Sequence, residues 1–408
     1  MAEFHYRFED SERQFVERIE FSGVGGKYDH VALDRALRLA HLLVGTSYYK
    51  AFPTPDVDVA TGGIDEWQAG FLNYVYQEGL SQFAFENNLA QQDLAQFVAS
   101  SSDESNQVPY TGEGIIAMQS GGKDSLLVAA LLEESSTSYT PFYISSTDNH
   151  PAILDTLTEP LTKAWRTLDK KALQQASEDG GKNGHVPVTY IALSYALIQA
   201  ILLGKNTVLM AVAHEGEEPH EWIGELPVNH QWSKTWQAEQ LFVEYVQRYV
   251  SPDIRVGSPL RQYSELKVTE LFAKYAWSRF GEQFSSCNVA NYQQGADNTK
   301  LVWCGKCPKC ANSYLLFSPF VSPSELQARL GGELYTDVSL IETFKGLLGI
   351  DGVMKPFECV GEVAELRQAY HLSQENGYES LLFDVPKSDF SVDELHPSQD
   401  WTTALLEG

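Results

Sequence analysis

One segment limits the fold more than any other. Gly114-Ile115-Ile116-Ala117-Met118-Gln119 is a short apolar run. Ser120-Gly121-Gly122-Lys123-Asp124-Ser125 follows it, and then Leu126-Leu127-Val128-Ala129-Ala130-Leu131-Leu132. This reads as strand, glycine-rich turn, helix. Two adjacent glycines let the backbone turn sharply and approach a ligand closely. The helix start then aims N–H groups and the positive end of its dipole at that ligand, a geometry suited to phosphate. Ser120 and Ser125 supply hydroxyl donors, Lys123 a charge, and Asp124 a carboxylate for Mg²⁺. The spacing is not that of a Walker A loop.

The neighbouring sequence fits an α/β domain. Pro141-Phe142-Tyr143-Ile144-Ser145 and Thr207-Val208-Leu209-Met210-Ala211-Val212 read as further strands, and residues 191–203 as an apolar helix between them. This alternation predicts a parallel sheet covered on both faces. Residues 1–110 read as a mainly helical unit, with helices over 32–43 and about 64–92. Ser100-Ser101-Ser102-Asp103-Glu104-Ser105-Asn106 reads as a polar linker, and residues 170–184 as a flexible loop. The organisation expected is therefore 1–110 helical, 111–285 ATP-binding α/β, 286–321 a cysteine segment, and 322–408 a C-terminal region with an acidic tail.

Charge and composition exclude some functions. A formal net charge of −26 argues against broad nucleic-acid binding, which needs a basic face. No apolar run is long enough for a membrane helix, and the first residues have no secretory pattern, so a cytoplasmic location is expected. Five cysteines are present. Cys304-Gly305-Lys306-Cys307-Pro308-Lys309-Cys310 gives two overlapping C-x2-C pairs, and Cys287 completes four thiolates. Four sulfurs suit a structural, tetrahedral Zn²⁺, with an iron–sulfur cluster as the alternative. Gly305 and Pro308 favour the tight turns, and Lys306 and Lys309 offset the thiolate charge.

The glycine-rich hexapeptide resembles the SGGxDS loop of the PP-loop ATP pyrophosphatase superfamily, which cleaves ATP between the α and β phosphates. The four-cysteine segment resembles that of the deazaguanine synthases in the same superfamily. Longer stretches narrow the resemblance. They are Gly45-Thr46-Ser47-Tyr48-Tyr49-Lys50, Asn183-Gly184-His185-Val186-Pro187-Val188-Thr189, Val228-Asn229-His230-Gln231-Trp232-Ser233-Lys234, Ser258-Pro259-Leu260-Arg261-Gln262-Tyr263-Ser264-Glu265-Leu266, Ser286-Cys287-Asn288, Trp303 with the cysteines to Cys310, and Lys355-Pro356-Phe357-Glu358-Cys359-Val360-Gly361-Glu362. Over roughly residues 30–370 the chain is similar to the UDP-N-acetylmuramoyl-L-alanyl-L-glutamate epimerases, the MurL family. It departs from them at Ala213-His214-Glu215-Gly216-Glu217-Glu218, where a Ser/Asn/Arg-rich loop is expected. A related acyl-glutamate substrate is therefore a second possibility.

The resemblance implies inversion of a terminal L-glutamate, with ATP and Mg²⁺ consumed through an acyl adenylate and AMP and pyrophosphate released. The partner is then a small nucleotide-sugar dipeptide, with no nucleic acid or membrane. Adenylation removes the carboxylate charge that otherwise opposes loss of the α-proton. Cys359, the cysteine outside the metal set, is the candidate base, with Glu358 and Glu362 beside it. His185 and His230 are candidates for acid–base work or phosphate binding. Tyr48, Tyr49, Lys50, Lys234 and again His230 are candidates for substrate, and Arg261 and Lys267 for pyrophosphate or a substrate phosphate. Each single residue also has a plain structural reading: a buried thiol, a packed histidine, a helix-terminal lysine, a solvated helix face. The rival functions are an amidating or nucleobase-modifying ligase and a nucleotide-sensing zinc protein without turnover.

Overall fold

The computed structural model describes residues 1–9, 12–24, 26–102, 105, 107–293 and 299–405. Part of the expected polar linker, Asp103, Glu104 and Asn106, lies outside these residues. Among the described residues, strands β1 (Ala2–Arg7), β2 (Gln14–Phe21), β3 (Ile115–Met118), β4 (Tyr139–Ser145), β5 (Thr162–Thr167) and β6 (Thr207–Leu209) join one sheet. A small antiparallel hairpin follows, β7 (Glu221–Ile223) with β8 (Leu226–Val228), and β9 (Arg255–Gly257) completes the large sheet. The order is β1-β2-β5-β4-β3-β6-β9. The five strands from β5 to β9 run parallel, as the alternation of strand and helix predicted.

Both faces of β3 are covered, which explains its unbroken apolar run. Ile116 packs into one core with helices His30–Val44 and Val188–Leu202. Ile115 and Ala117 pack into the other, with Lys123–Glu134, Glu265–Tyr275 and Pro308–Phe317. The helix Val363–Glu375 closes that second layer against Pro308–Phe317 and Glu265–Tyr275.

Two features differ from the sequence expectation. The first 110 residues are not only helical, because β1 and β2 extend the central sheet antiparallel to β5. The inward positions of β2 are Phe15, Glu17 and Ile19. A carboxylate among them breaks the apolar alternation that marks a strand. Glu17 is accommodated because Arg166 donates to it from Nε at 2.7 Å and from Nη2 at 3.1 Å, and Tyr48 from its hydroxyl at 3.0 Å. The second difference is residues 170–184, read as a loop. They begin with a helix, Lys170–Glu178, whose N-terminus is capped by Asp169 and which buries Ala176.

β3 sits between β4 and β6, so the chain leaving β3 and the chain leaving β6 diverge from adjacent strand ends. Open parallel sheets place ligands in the crevice at such a switch point. The 120–125 loop follows β3, and the acidic 213–218 segment follows β6.

Candidate active site

Gly121 adopts φ +78°, and a Cβ there would stand 2.7 Å from Leu301 Cδ1. Glycine is thus required on both backbone and steric grounds. Ser125 Oγ accepts from Ser120 N at 3.2 Å and Ser120 Oγ from Gly122 N at 3.3 Å, which fixes the curl of the loop. The helix Lys123–Glu134 starts at Gly122 with no side-chain cap. Its first-turn N–H groups are therefore available to an anion.

Lys123 is buried and donates to Asp124 and, at 2.9 Å, to Glu265 Oε2. Burial alone would discharge this lysine, and the two carboxylates reverse that and hold it protonated. Glu265 opens the helix Glu265–Tyr275 behind the cap Ser264. Burial would raise its pKa, but Lys123, Lys309 and Lys234 outweigh burial and keep it ionised.

Across this centre, Lys234 Nζ donates to Glu215 Oε2 at 3.1 Å. Glu215 is fully buried, and its other oxygen has no hydrogen-bond partner among the described residues. Burial pushes its pKa up to about 7; Lys234 pulls it down, and Glu265, Asp124 and Cys359 push it up. Lys234 stays protonated because Cys359, Glu215, Glu265 and Asp124 together overcome its burial. Lys123, Asp124, Glu265, Glu215, Lys234 and Cys359 thus form one electrostatic unit.

Cys359 reaches this centre from the C-terminal region, and its segment is pinned on several sides. Lys309 Nζ donates to the Cys359 carbonyl. Asn288 Nδ2 donates to Glu358 at 2.7 Å, Gln231 Nε2 to the Val360 carbonyl at 2.8 Å, and Gly361 N to Asn312 at 2.9 Å.

Three of these four anchors come from the cysteine segment and the helix that follows it. The sulfurs of Cys287, Cys304, Cys307 and Cys310 all lie within 4.8 Å of one another. The Cys287–Cys307, Cys304–Cys310 and Cys307–Cys310 separations are 3.7, 3.6 and 3.5 Å. Tetrahedral zinc with Zn–S bonds of about 2.3 Å needs sulfurs ~3.8 Å apart, so the donor set fits that metal. Ala290 N and Lys306 N point at Cys287 and Cys304 sulfurs, as expected for thiolates. Gly305 has φ +69°, and a Cβ there would meet the Leu330 carbonyl at 2.4 Å. The segment is a brace between the 120–125 loop, which it touches through Leu301 and Ser286, and the Cys359 strand of chain.

Comparison with known proteins identifies the family. The family model of the MurL N-terminal domain matches residues 1–258, and that of the MurL C-terminal domain residues 283–382. The chain belongs to the MurL family. Three curated relatives carry the name UDP-N-acetyl-alpha-D-muramoyl-L-alanyl-L-glutamate epimerase. The one from Xanthomonas oryzae pv. oryzae is 33% identical, over 90% of this chain and 81% of its own length. Those from Salinispora tropica and a Micromonospora species are 31% and 32% identical, over 91% of this chain and 79% and 81% of theirs.

Among the candidates read from the sequence, Lys123, Asp124, Lys234 and Cys359 come together at the loop. Glu358 and His230 adjoin them: Glu358 raises the pKa of His230, while Lys234 and Lys309 lower it. His185 packs against His230 with the rings tilted and their centroids 4.4 Å apart, and Lys50 donates to the neighbouring Gly184 carbonyl at 2.9 Å. Glu362 caps the helix Val363–Glu375.

Other candidates stand elsewhere. Tyr48 is held in the N-terminal core by Glu17, and Tyr49 donates to the Thr54 carbonyl at 3.0 Å and packs on Tyr76. Arg261 is fully buried. It donates to Glu239 at 2.7 Å and to the carbonyls of Ala213 at 2.7 Å and Lys234 at 2.9 Å, so it ties the Glu215 and Lys234 segments together. Lys267 pairs with Glu270 and Asp393 at the surface.

Sequence reasoning singled out the stretches that hold Glu215 and Glu265 but gave neither residue a role; it missed His220, and it gave Lys309 only to the cysteines. The signal for Glu215 was present: an acidic loop directly after a central strand, at the departure from the family pattern.

Proposed function

We propose that this chain is an ATP-dependent epimerase that inverts the terminal L-glutamate of UDP-N-acetylmuramoyl-L-alanyl-L-glutamate in the supply of peptidoglycan precursors. The observation that carries the reading is the meeting of two kinds of chemistry in one crevice. A phosphate loop with Lys123 and Asp124 abuts a buried proton-transfer centre of Glu215, Lys234 and Cys359.

The α-carboxylate attacks the α-phosphorus of ATP, and pyrophosphate leaves along the first-turn N–H groups of the helix Lys123–Glu134. Lys123 meets the charge that develops on the phosphates. Asp124 pairs with Lys123 and, with its side chain a quarter exposed, offers a carboxylate oxygen to a hard cation shared with the phosphates; Glu265 is held by Lys123. Mg²⁺ held there would supply charge neutralisation for the leaving pyrophosphate.

With its charge removed, the acyl adenylate can delocalise an electron pair from the α-carbon onto the carbonyl oxygen. Cys359 takes the α-proton, and Lys234 stabilises the enolate oxygen. Glu215, poised to be half protonated near neutrality, returns a proton to the other face. Water then cleaves the adenylate to AMP and the D-glutamyl product.

Turnover in heavy water with ATP tests the reading. The expected result is one deuterium at the glutamate α-carbon, D-glutamate on chiral analysis, and AMP with pyrophosphate. A non-cleavable ATP analogue gives none of these. ATP cleavage without α-exchange on any acyl-glutamate would replace this reading with an amide-forming ligase.

A further inference from the structure

In a chain with 55 acidic and 29 basic residues, a half-buried lysine that lacks a carboxylate stands out. Lys50 is one. Its Nζ donates to the Gly184 carbonyl and makes no ion pair among the described residues. Burial, then Arg166, lowers its pKa to about 8. A cation left in that position is stabilised only when an anion arrives.

Beside it stand three imidazoles. His185 and His230 lie 4.4 Å apart, centroid to centroid, and His220 lies 6.4 Å from His230. Their hydrogen bonding is incomplete. His230 Nδ1 donates to Gln82 Oε1 at 2.6 Å, with that amide oriented by Glu86, so Nε2 is open. The His185 ring makes no hydrogen bond among the described residues. His220 is 9% exposed, and neither ring nitrogen has a well-formed hydrogen bond, although the Pro356 carbonyl lies near the ring. For His220, whose ring nitrogens are buried, each unmatched nitrogen costs about 1–3 kcal/mol, which packing alone does not offset; His185 and His230 are half-buried.

Burial is the largest cause that lowers all three pKa values, to about 3, 3 and 4 for His185, His220 and His230. The charges around them are of both signs: Lys50, Lys355, Lys234 and Lys309 add to the lowering, while Glu358 and Glu86 oppose it at His230. One wall is apolar: Phe357 stacks on His220 at 5.2 Å and meets Phe85 edge-on at 5.7 Å.

We infer that His185, His220 and His230, with Lys50 behind them, form a carboxylate subsite that takes the side-chain carboxylate of the substrate's terminal glutamate. This assignment of the ligand rests on the function proposed above. Lys234 and Lys309 both act on the charge of His230, and they also contact Glu215 and the Cys359 carbonyl, so the histidines and the Cys359 centre share the same two lysines. A glutamate whose α-carbon lies at that centre would carry its side-chain carboxylate two methylenes away from it, past the apolar wall of Phe357 and Phe85. A nucleotide diphosphate sits at the far end of the sugar and dipeptide. The bound carboxylate recharges the imidazoles and turns neutral contacts into charge-assisted hydrogen bonds.

Calorimetry without ATP tests the subsite. UDP-N-acetylmuramoyl-L-alanyl-L-glutamate is compared with the counterpart whose side chain is the neutral amide of glutamine. Wild-type protein should bind the acid at least tenfold more tightly. His220→Asn and Lys50→Met should each bring the two ligands to within about threefold, by weakening the acid alone. The wild-type comparison stands even where a variant fails to fold. Equal binding of acid and amide by the wild type, or a preference that survives in both folded variants, overturns the proposal. It is also overturned if inorganic pyrophosphate displaces the ligand while N-acetyl-L-alanyl-L-glutamate shows no preference over its amide, because the nest is then a diphosphate site. Absence of ATP-dependent α-exchange would remove the epimerase reading but would leave this binding result intact.

Discussion

Glu215 accepts from Lys234 at 3.1 Å through one oxygen, while its other oxygen lies buried without a partner. A carboxylate satisfied on both oxygens would be a structural ion pair. The open oxygen, the raised pKa of about 7 and the nearby Cys359 mark a group that can exchange a proton. Glu215→Gln keeps the volume and removes the proton. It should lower α-proton exchange at least about 100-fold, the usual scale of general acid–base catalysis, and leave pyrophosphate release measurable. In the wild type, the step that needs protonated Glu215 should fade as pH rises through about 7. An unchanged exchange rate in the variant removes Glu215 from the chemistry.

Asp124 lies in the first helical turn after the 120–122 bend and pairs with Lys123. Asp124→Ala should reduce ATP cleavage at least about 1000-fold, through loss of charge neutralisation at the leaving pyrophosphate. The cost to stability should be only about 1 kcal/mol, as for other first-turn carboxylates. Pyrophosphate release and a urea titration measure the two effects. Near-normal release would mean that the loop does not work on ATP phosphates.

The four-cysteine brace predicts a dependence of structure on metal. Elemental analysis should find about one zinc per chain, as a closed four-thiolate site requires. Cys307→Ser should lose the metal, and with it the anchors that Lys309 and Asn288 make to the Cys359 segment. Soluble, fully active Cys307→Ser protein without zinc would show that the brace does not depend on metal; stoichiometric iron would replace zinc with a cluster.

The parts of the site that were legible in the sequence are contiguous. The 120–125 loop and the 304–310 cysteines carry their geometry in local spacing, so the strand–loop–helix and the sulfur cluster could be read directly. Cys359 stood out by elimination. Glu265 and Glu215 were hidden because each has an ordinary local role, one in the first turn of a helix and one in an acidic loop. Only the parallel pairing of β3 with β6, and of β6 with β9, brings them to Lys123 and Lys234. Tyr48 and Tyr49 misled for the converse reason. An aromatic pair after an apolar helix resembles a binding motif, yet it fills the core beneath β2. The buried Glu17 likewise concealed β2, since its partners Arg166 and Tyr195 are far away in sequence.

The buried titratable groups also predict how stability depends on pH, with two opposing arms. His185, His220 and His230 stay neutral in the folded protein down to pH 3–4. In the unfolded chain they protonate below about 6.5. Unfolding therefore takes up protons, and the stability present above 6.5 is lost as pH falls toward 4. Glu365 acts in the other direction. Burial, then Glu265, raises its pKa to about 8, while the unfolded carboxyl ionises at its ordinary value of 4.5. Stability is thus lost as pH rises from 4.5 to 8. Urea midpoints should accordingly be highest between the two arms, near pH 6–7. His220→Asn should flatten the acid arm by about 2 kcal/mol between pH 6.5 and 5, the linkage value for one group over that interval. Glu365→Gln retains a carbonyl to accept from Leu266 N, as the carboxyl does now at 2.6 Å, and should flatten the alkaline arm, with stability at pH 8 no lower than wild type. A Glu365→Gln protein destabilised equally at every pH would show that Glu365 is ionised in the fold and that its proton does not set the alkaline arm.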